Sequence, residues 1–412
     1  MQLNPHATPP PGRIATVTAE PSIQSAYGWW IAVVTLVIAS ISFGAVTSVP
    51  ILLKPLSTDW QTGASTIALI HTSAMFGAGA GSLLLGRLLD RFGFFCIAMV
   101  AALATGIGLV IAARAEDLLT LHLAYGLLVG GIGQGAFFSP LAAAVSQWFD
   151  RHRALSIAIA ASGQSVGGLT LPPLLRWGAE QVGWRQAIEI YGIAAGVILL
   201  ACAFAFRRAP PKPAAPSRAA TGGVVRIDRA GFALLGLCMA LFNLATFVAI
   251  GHLTAFGEEI GLAPATAAVF VSVMLGVTLV SRLSIGQLSK RFGHYRMLVT
   301  VSMLHLCGVM LLAMSTGAAS TFAAVVLIGL GFGGYVPAYA VMVRELFPAS
   351  EAGRRIAEIY FFAFLAAGVG SWSGGLARDM SGSYAVPFAL AGGAALVGAL
   401  LLLHLARRLR SI

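Results

Sequence analysis

The chain has 412 residues, of which 58% are hydrophobic and only 10% are charged, and its mean hydropathy is +0.86. Soluble domains carry about 25% charged residues, so this composition excludes both a water-soluble globule and a disordered chain. The four cysteines (Cys96, Cys202, Cys238 and Cys307) stand in apolar runs without a CxxC pair. They indicate small buried hydrophobes rather than a disulfide scaffold, a metal site or a redox centre.

In chain order, a polar, proline-rich segment at 1–26 comes first and lacks the apolar core of a signal peptide, so we expect an N-terminal tail. Twelve apolar segments follow, each long enough for the roughly 20 residues that cross a bilayer. We predict these spans at 27–53, 64–89, 94–113, 118–147, 154–176, 187–206, 230–256, 264–289, 295–315, 319–346, 355–377 and 384–406. A proline-rich linker at 207–229 divides them into bundles at 27–206 and 230–406, and a short tail at 407–412 ends the chain.

The distribution of Lys and Arg predicts the orientation. If both termini are inside, 20 of the 26 basic residues fall on the inner side and five on the outer side. Cytoplasmic loops carry such an excess of positive charge, and this also explains the net charge of +11 without nucleic acid. We therefore expect a multi-pass plasma (inner) membrane protein with both termini and the linker in the cytoplasm.

The two predicted bundles repeat each other. The motif GRLLDRFG at 86–93 follows the second span, and GQLSKRFG at 286–293 follows the eighth, 200 residues later. Alternating glycines at 131, 133 and 135 in the fourth span recur at 329, 331 and 333 in the tenth. Repeated halves with a binding site between them are typical of secondary transporters. The predicted fold class is therefore an all-α integral membrane protein, with twelve transmembrane helices in two pseudo-symmetric six-helix bundles.

At these residues the chain resembles the major facilitator superfamily. Four patches are more specifically similar to its monocarboxylate transporter and oxalate/formate antiporter group. They are YGWW at 27–30, WFDRHRALSIAIAASGQSVGG at 148–168, His252 with EIG at 259–261, and RLSIG at 282–286. The resemblance implies that Arg282 of the eighth span binds a substrate carboxylate. Members of that group carry a lysine in the first span or in the eleventh. This chain has Thr47 at the position in the first span and no lysine at 357–377, so the resemblance does not imply a lysine-based proton relay.

Arg282 is also unusual by charge alone. It is the one basic residue that belongs to neither the inner nor the outer set, because it lies well inside a span, and no Asp or Glu lies deep in any span. A guanidinium in a bilayer needs an anion or several carbonyls as partners. Both interpretations stay open: a substrate anion in a wet cavity, or a structural arginine bonded to carbonyls.

Other candidate residues belong to two groups. We predict that Arg282, Tyr335, Tyr339, Asn243, Phe137 and Phe361 contact substrate, the aromatics because the resemblance implies aromatic cavity walls. His252 and Glu259 at the outer end are candidates for proton coupling or gating; a hydrogen-bonded interfacial histidine is the alternative for His252. Asp90 and Arg153 are predicted to form a cytoplasmic latch. His71, His122 and His305 are interpreted as packed helix histidines.

The sequence thus predicts a transporter of a small organic monocarboxylate anion, working by proton symport or anion exchange, and acting as a monomer without cofactor or metal. Two alternatives stay open: a proton-driven efflux transporter of drugs or metabolites, and a membrane anion sensor that moves nothing. The motifs GLGFGG at 329–334 and GQSVG at 163–167 match nucleotide-binding and hydrolase patterns. Both lie inside predicted membrane helices, so we expect no enzyme activity from them.

Overall fold

A computed structural model describes residues 25–149, 152–211, 228–347 and 349–410. The predicted N-terminal tail and most of the predicted linker therefore lie outside the described residues. The described chain forms twelve long helices: α1 Ala26–Ile51, α2 Ala64–Leu89, α3 Arg91–Ala113, α4 Leu118–Ser146, α5 Arg153–Val182, α6 Trp184–Phe204, α7 Arg229–Glu259, α8 Pro264–Phe292, α9 His294–Ala313, α10 Ala318–Leu346, α11 Ala349–Ser381 and α12 Ala385–Arg410. A seven-residue helix, Leu53–Asp59, follows α1.

Eleven of these helices are long and apolar enough to cross a membrane, counted over the described residues. The remaining helix, α5, has 30 residues and is long enough to cross a membrane. It carries Gln164, Arg176 and Glu180 together with several small polar residues. It packs against α1 on one side and α8 on the other. Because two of its faces meet protein instead of lipid, α5 tolerates polar side chains that would be costly in a lipid-facing helix.

The two octapeptide repeats form the same turn in each half. Gly93, in the first turn of α3, has φ 71°, and Gly293, between α8 and α9, has φ 92°. Residues with a side chain avoid positive φ, whereas glycine adopts it freely. The chain therefore reverses direction between the two helices without a loop. We call this end of the bundle the Gly93 end, and the opposite end, where α1 stops, the Lys54 end.

Helix α4 is irregular in its middle. Its central residues Ala124–Gln134 are π-helical, and the helix breaks at Phe138 before it resumes at Ser139–Ser146. The glycines of α4 let α2 approach closely: a methyl group added at Gly77 or Gly81 of α2 would overlap the α4 backbone. Small residues allow such backbone contact in membrane bundles, and π-helical turns re-aim side chains, often at functional sites.

Helices α1–α6 and α7–α12 form the two halves, which meet through α2 against α11 and α5 against α8. Thr72 of α2 donates a hydrogen bond to the carbonyl of Gly368 in α11 (2.7 Å), and Gly168 of α5 faces Leu275 of α8. Both contacts lie on the Lys54 side of the interface. The halves therefore pack directly at that end and leave a cavity nearer the middle.

Candidate functional site

The cavity lies between the halves and is walled by residues of both. Its volume is about 50 Å³, which accommodates about three to five waters when each needs about 10–15 Å³. Most of its walls are apolar or aromatic, four lining residues are neutral and polar, and one is charged. The lining residues are Phe43, Met75, Gln134, Phe138, Gln164, Met239, Asn243, Phe247, Arg282, Phe332, Val336, Tyr360, Ala363, Phe364 and Ala367.

Arg282 is the charged residue of this wall. Its side chain leaves α8 toward α5, and only 6% of the residue is exposed. Nη1 donates a hydrogen bond to the carbonyl of Ala161 in α5, across the interface, while Nε has no partner among the described residues. The guanidinium also lies 6.0 Å from the ring centre of Phe332. One carbonyl satisfies only part of a group with five N–H donors, so the guanidinium keeps the capacity to bind an oxyanion.

The walls facing Arg282 offer neutral hydrogen-bonding groups. Gln134 at the end of the π-helical segment accepts a hydrogen bond from Ser42 of α1 (2.6 Å), and both residues are buried. This bond occupies the amide oxygen of Gln134 and leaves its N–H groups free to donate. Gln164 of α5 and Asn243 of α7 complete this polar side, the latter donating to the carbonyl of Met239 at 3.2 Å.

Sequence reasoning missed Gln134, Gln164 and Tyr360. A signal for two of them was present, since each glutamine stands in a glycine-rich stretch within a predicted span. The internal repeat held a further signal. Gln134 and Phe332 are related by the 198-residue offset, and so are Phe138 and Val336, and all four line the cavity.

Of the six predicted substrate contacts, Arg282 and Asn243 line the cavity and the four aromatics do not. Tyr335 is fully buried behind Arg282, where its hydroxyl lies 3.0 Å from the Thr246 hydroxyl. Tyr339 is also fully buried, on the same helix.

Phe137 packs in the core of the first half, and Phe361 is half-buried beside Phe362. Their neighbours Phe138 and Phe364 face the cavity instead, with ring centres 4.9 Å apart across the interface. Phe138 is one position from Phe137, at the break in α4, and Phe364 is three positions from Phe361. Each position turns a side chain by about 100° around a helix, so the rotation of the helix decides which aromatic residue lines the wall.

His252 and Glu259 lie near the Lys54 end of α7, away from the cavity. His252 is fully buried, with Nε2 2.8 Å from the carbonyl oxygen of Ser371. Glu259 pairs with Arg378 of its own half at 2.8 Å. The side chains of Asp90 and Arg153, the predicted latch, are outside the described set.

Glu258, next to Glu259, is a carboxylate that pairs with residues of the opposite half. It pairs with Arg176 of α5 at 2.5 Å and with Lys54 at 3.2 Å, both from the first half. Asp379 of α11 makes a second contact between the halves. It accepts hydrogen bonds from the backbone N–H groups of Ala64 and Ser65 at the start of α2 (2.9 and 2.8 Å). A carboxylate at a helix N-terminus is favourable to the free amides there. These contacts hold the two halves together at the Lys54 end.

The sequence profile of the Major Facilitator Superfamily matches residues 33–340. The chain belongs to this superfamily. Human monocarboxylate transporter 11 is 27% identical over 402 residues, covering 93% of this chain and 84% of that protein. Rat monocarboxylate transporter 13 is 24% identical over 389 residues, covering 92% and 89%, and the MFS transporter asaE of Aspergillus flavus is 28% identical over 338 residues, covering 78% and 73%.

Solved structures give the same fold. A D-xylose-proton symporter superposes with a TM-score of 0.73 at 18% identity, over 92% of this chain and 97% of that one. A bacterial homologue of the human lysosomal transporter Spinster superposes with a TM-score of 0.70 at 15% identity, over 93% and 96%. These findings confirm the predicted major facilitator fold, the multi-pass membrane character and a transporter rather than an enzyme.

Proposed function

We propose that this protein moves a small organic monocarboxylate across the membrane by alternating access, with Arg282 binding the carboxylate. The observation that carries the proposal is the charge of the cavity: a buried guanidinium stands in an otherwise neutral wall, between the halves of a transporter fold. Arg282 offers N–H pairs in the geometry that a carboxylate accepts. The monocarboxylate transporter names of two relatives support the same chemistry.

The size and polarity of the cavity support a small substrate. A volume of about 50 Å³ accommodates an anion of a few heavy atoms. Arg282 of the second half would hold the carboxylate, while Gln134 and Gln164 of the first half would donate hydrogen bonds to the remainder. A cationic drug is disfavoured because no carboxylate among the described residues lines the cavity to neutralise it.

Uptake into liposomes tests this function. Liposomes that contain the purified protein should accumulate a labelled carboxylate of two to four carbon atoms. They should not accumulate the neutral amide of the same shape. An anion sensor would bind the acid without moving it, so binding without flux would contradict transport. Equal uptake of acid and amide would contradict recognition by charge.

We propose further that the Gly93 end faces the cytoplasm, as the excess of Lys and Arg there predicts. In a variant without native cysteines, Thr58→Cys at the Lys54 end should react with an impermeant thiol reagent on intact cells. Lys290→Cys at the Gly93 end should react only after lysis. The reverse pattern would invert the orientation and leave the binding site unchanged.

A further inference from the structure

A buried histidine lies between the cavity and the Lys54 end. His71 is on α2, one turn from Met75, which lines the cavity. It is fully buried, and neither of its ring nitrogens has a hydrogen-bond partner among the described residues. An unpartnered buried polar group costs about 1–3 kcal/mol, so packing alone is a poor reason to place a histidine here.

His71 is buried by the opposite half. Its ring stacks on Phe247 of α7, with centres 6.0 Å apart and planes inclined by 21°. Phe247 itself lines the cavity. Phe247 thus covers the His71 ring from across the interface, and we expect that separating the halves at the Lys54 end gives the ring nitrogens access to water.

The ionisable groups around this site are few. His252 is the titratable group that acts electrostatically on His71, and the two rings would repel each other when both are charged. His252 in turn is near Asp379 and Tyr384, and its Nε2 is at the carbonyl of Ser371. No carboxylate pairs with His71 among the described residues. A positive charge without a partner anion is costly in such a site, so the closed interface requires His71 to be neutral.

We propose that His71 is a proton-binding site, and that its protonation favours the state that is open at the Lys54 end. A proton enters from the aqueous phase on that side when the halves separate, and closure requires its release from the ring. This inference rests on the proposed transport function, since it assumes that the Lys54 end opens. It assigns to His71 a role distinct from carboxylate binding at Arg282.

The sign of the pH dependence follows from the two environments. A histidine side chain in water ordinarily titrates near pH 6.5. Water can solvate the charged ring in the open state, whereas the closed interface offers it no partner anion among the described residues. The ratio of open to closed molecules should fall as pH rises, by up to tenfold per pH unit below about pH 6.5 for one proton. Above that value the ratio should be flat.

The test is a distance measurement without substrate. Spin labels at Thr58→Cys and Ser381→Cys, exposed positions of the two halves at the Lys54 end, report its opening in lipid nanodiscs from about pH 4.5 to about pH 8. The native cysteines are replaced first. Wild type should populate a longer distance in acid, whereas His71→Gln and His71→Asn should keep the short distance throughout.

His305→Gln is the matched control. His305 is also fully buried, but it lies inside the second half, with Nε2 3.3 Å from the Thr246 hydroxyl. This variant should keep the wild-type response. The proposal would be overturned if the distance between the two labels in wild type did not change with pH. It would also be overturned if both His71 variants kept the longer distance in acid. A response lost in His252→Gln and kept in the His71 variants would overturn it as well. None of these results bears on carboxylate transport, which is tested separately.

Discussion

Replacing Arg282 separates the contribution of its charge from that of its shape. Arg282→Lys keeps a positive charge on α8 but loses the planar pair of N–H donors that a carboxylate accepts. Loss of one charge-assisted hydrogen bond costs about 1.5–3 kcal/mol, so affinity should fall about ten- to a hundredfold. Arg282→Ala removes the charge and every donor, so binding should become undetectable.

Both variants should fold, because the described contacts of Arg282 include no acidic partner that would be left unpaired. Arg282→Ala frees the carbonyl of Ala161, a loss of about 1–3 kcal/mol, but it also removes a buried charge that no described carboxylate balances. These two effects oppose each other. We therefore expect little change in the thermal midpoint without ligand.

The assay is the rise of the thermal midpoint on adding a carboxylate or its amide, followed by uptake into liposomes. Arg176→Lys is the matched control, since Arg176 is equally buried but pairs with Glu258 at the Lys54 end. It should bind the acid as wild type does. Undiminished acid uptake by Arg282→Ala, or an amide that stabilises wild type as strongly as the acid, would refute the assignment.

Three shorter predictions concern the surrounding structure. Ser42→Ala should weaken carboxylate affinity about two- to tenfold, because the hydrogen bond that orients Gln134 is worth about 0.5–1.5 kcal/mol. A titration of the carboxylate followed by thermal shift measures the affinity. Glu258→Gln should speed thiol labelling at the Lys54 end, whereas Glu259→Gln should not, because Glu258 pairs across the halves and Glu259 pairs within its own half. Equal labelling rates in the two variants would contradict this gate. Gly93→Ala should cost about 1–3 kcal/mol of stability, because its φ of 71° and ψ of 162° lie in a region that is nearly restricted to glycine. Thermal unfolding of the two proteins measures the loss.

The fold could be predicted from the sequence because its signals are local. Each predicted span reflects a run of apolar residues, and the repeated octapeptides mark turns that require glycine at 93 and 293. Helix α5 shows the limit of this reasoning. Its polar residues are tolerated because two other helices cover it, and hydropathy measures the helix without its neighbours.

The cavity wall was harder to predict, because it depends on the rotation of each helix. Arg282 could be found from charge alone, since a basic residue in a span needs a partner. The choice between Phe137 and Phe138 depends on a break in α4, and the choice between Glu259 and Glu258 depends on which carboxylate reaches the other half. Both choices follow from tertiary packing, which one sequence does not reveal.

The charge of the cavity also bears on the return of the empty carrier. With an anion bound, closing the interface buries a neutral pair; without one, it buries a guanidinium whose described hydrogen-bond partner is the carbonyl of Ala161. If this difference raises the barrier for the empty carrier by about 1–2 kcal/mol, an unlabelled carboxylate inside liposomes should speed labelled uptake about five- to thirtyfold. Neutral amide inside should have no such effect. Equal rates with and without internal carboxylate would mean that the Ala161 carbonyl compensates Arg282 as well as the substrate does, and would favour proton symport over exchange.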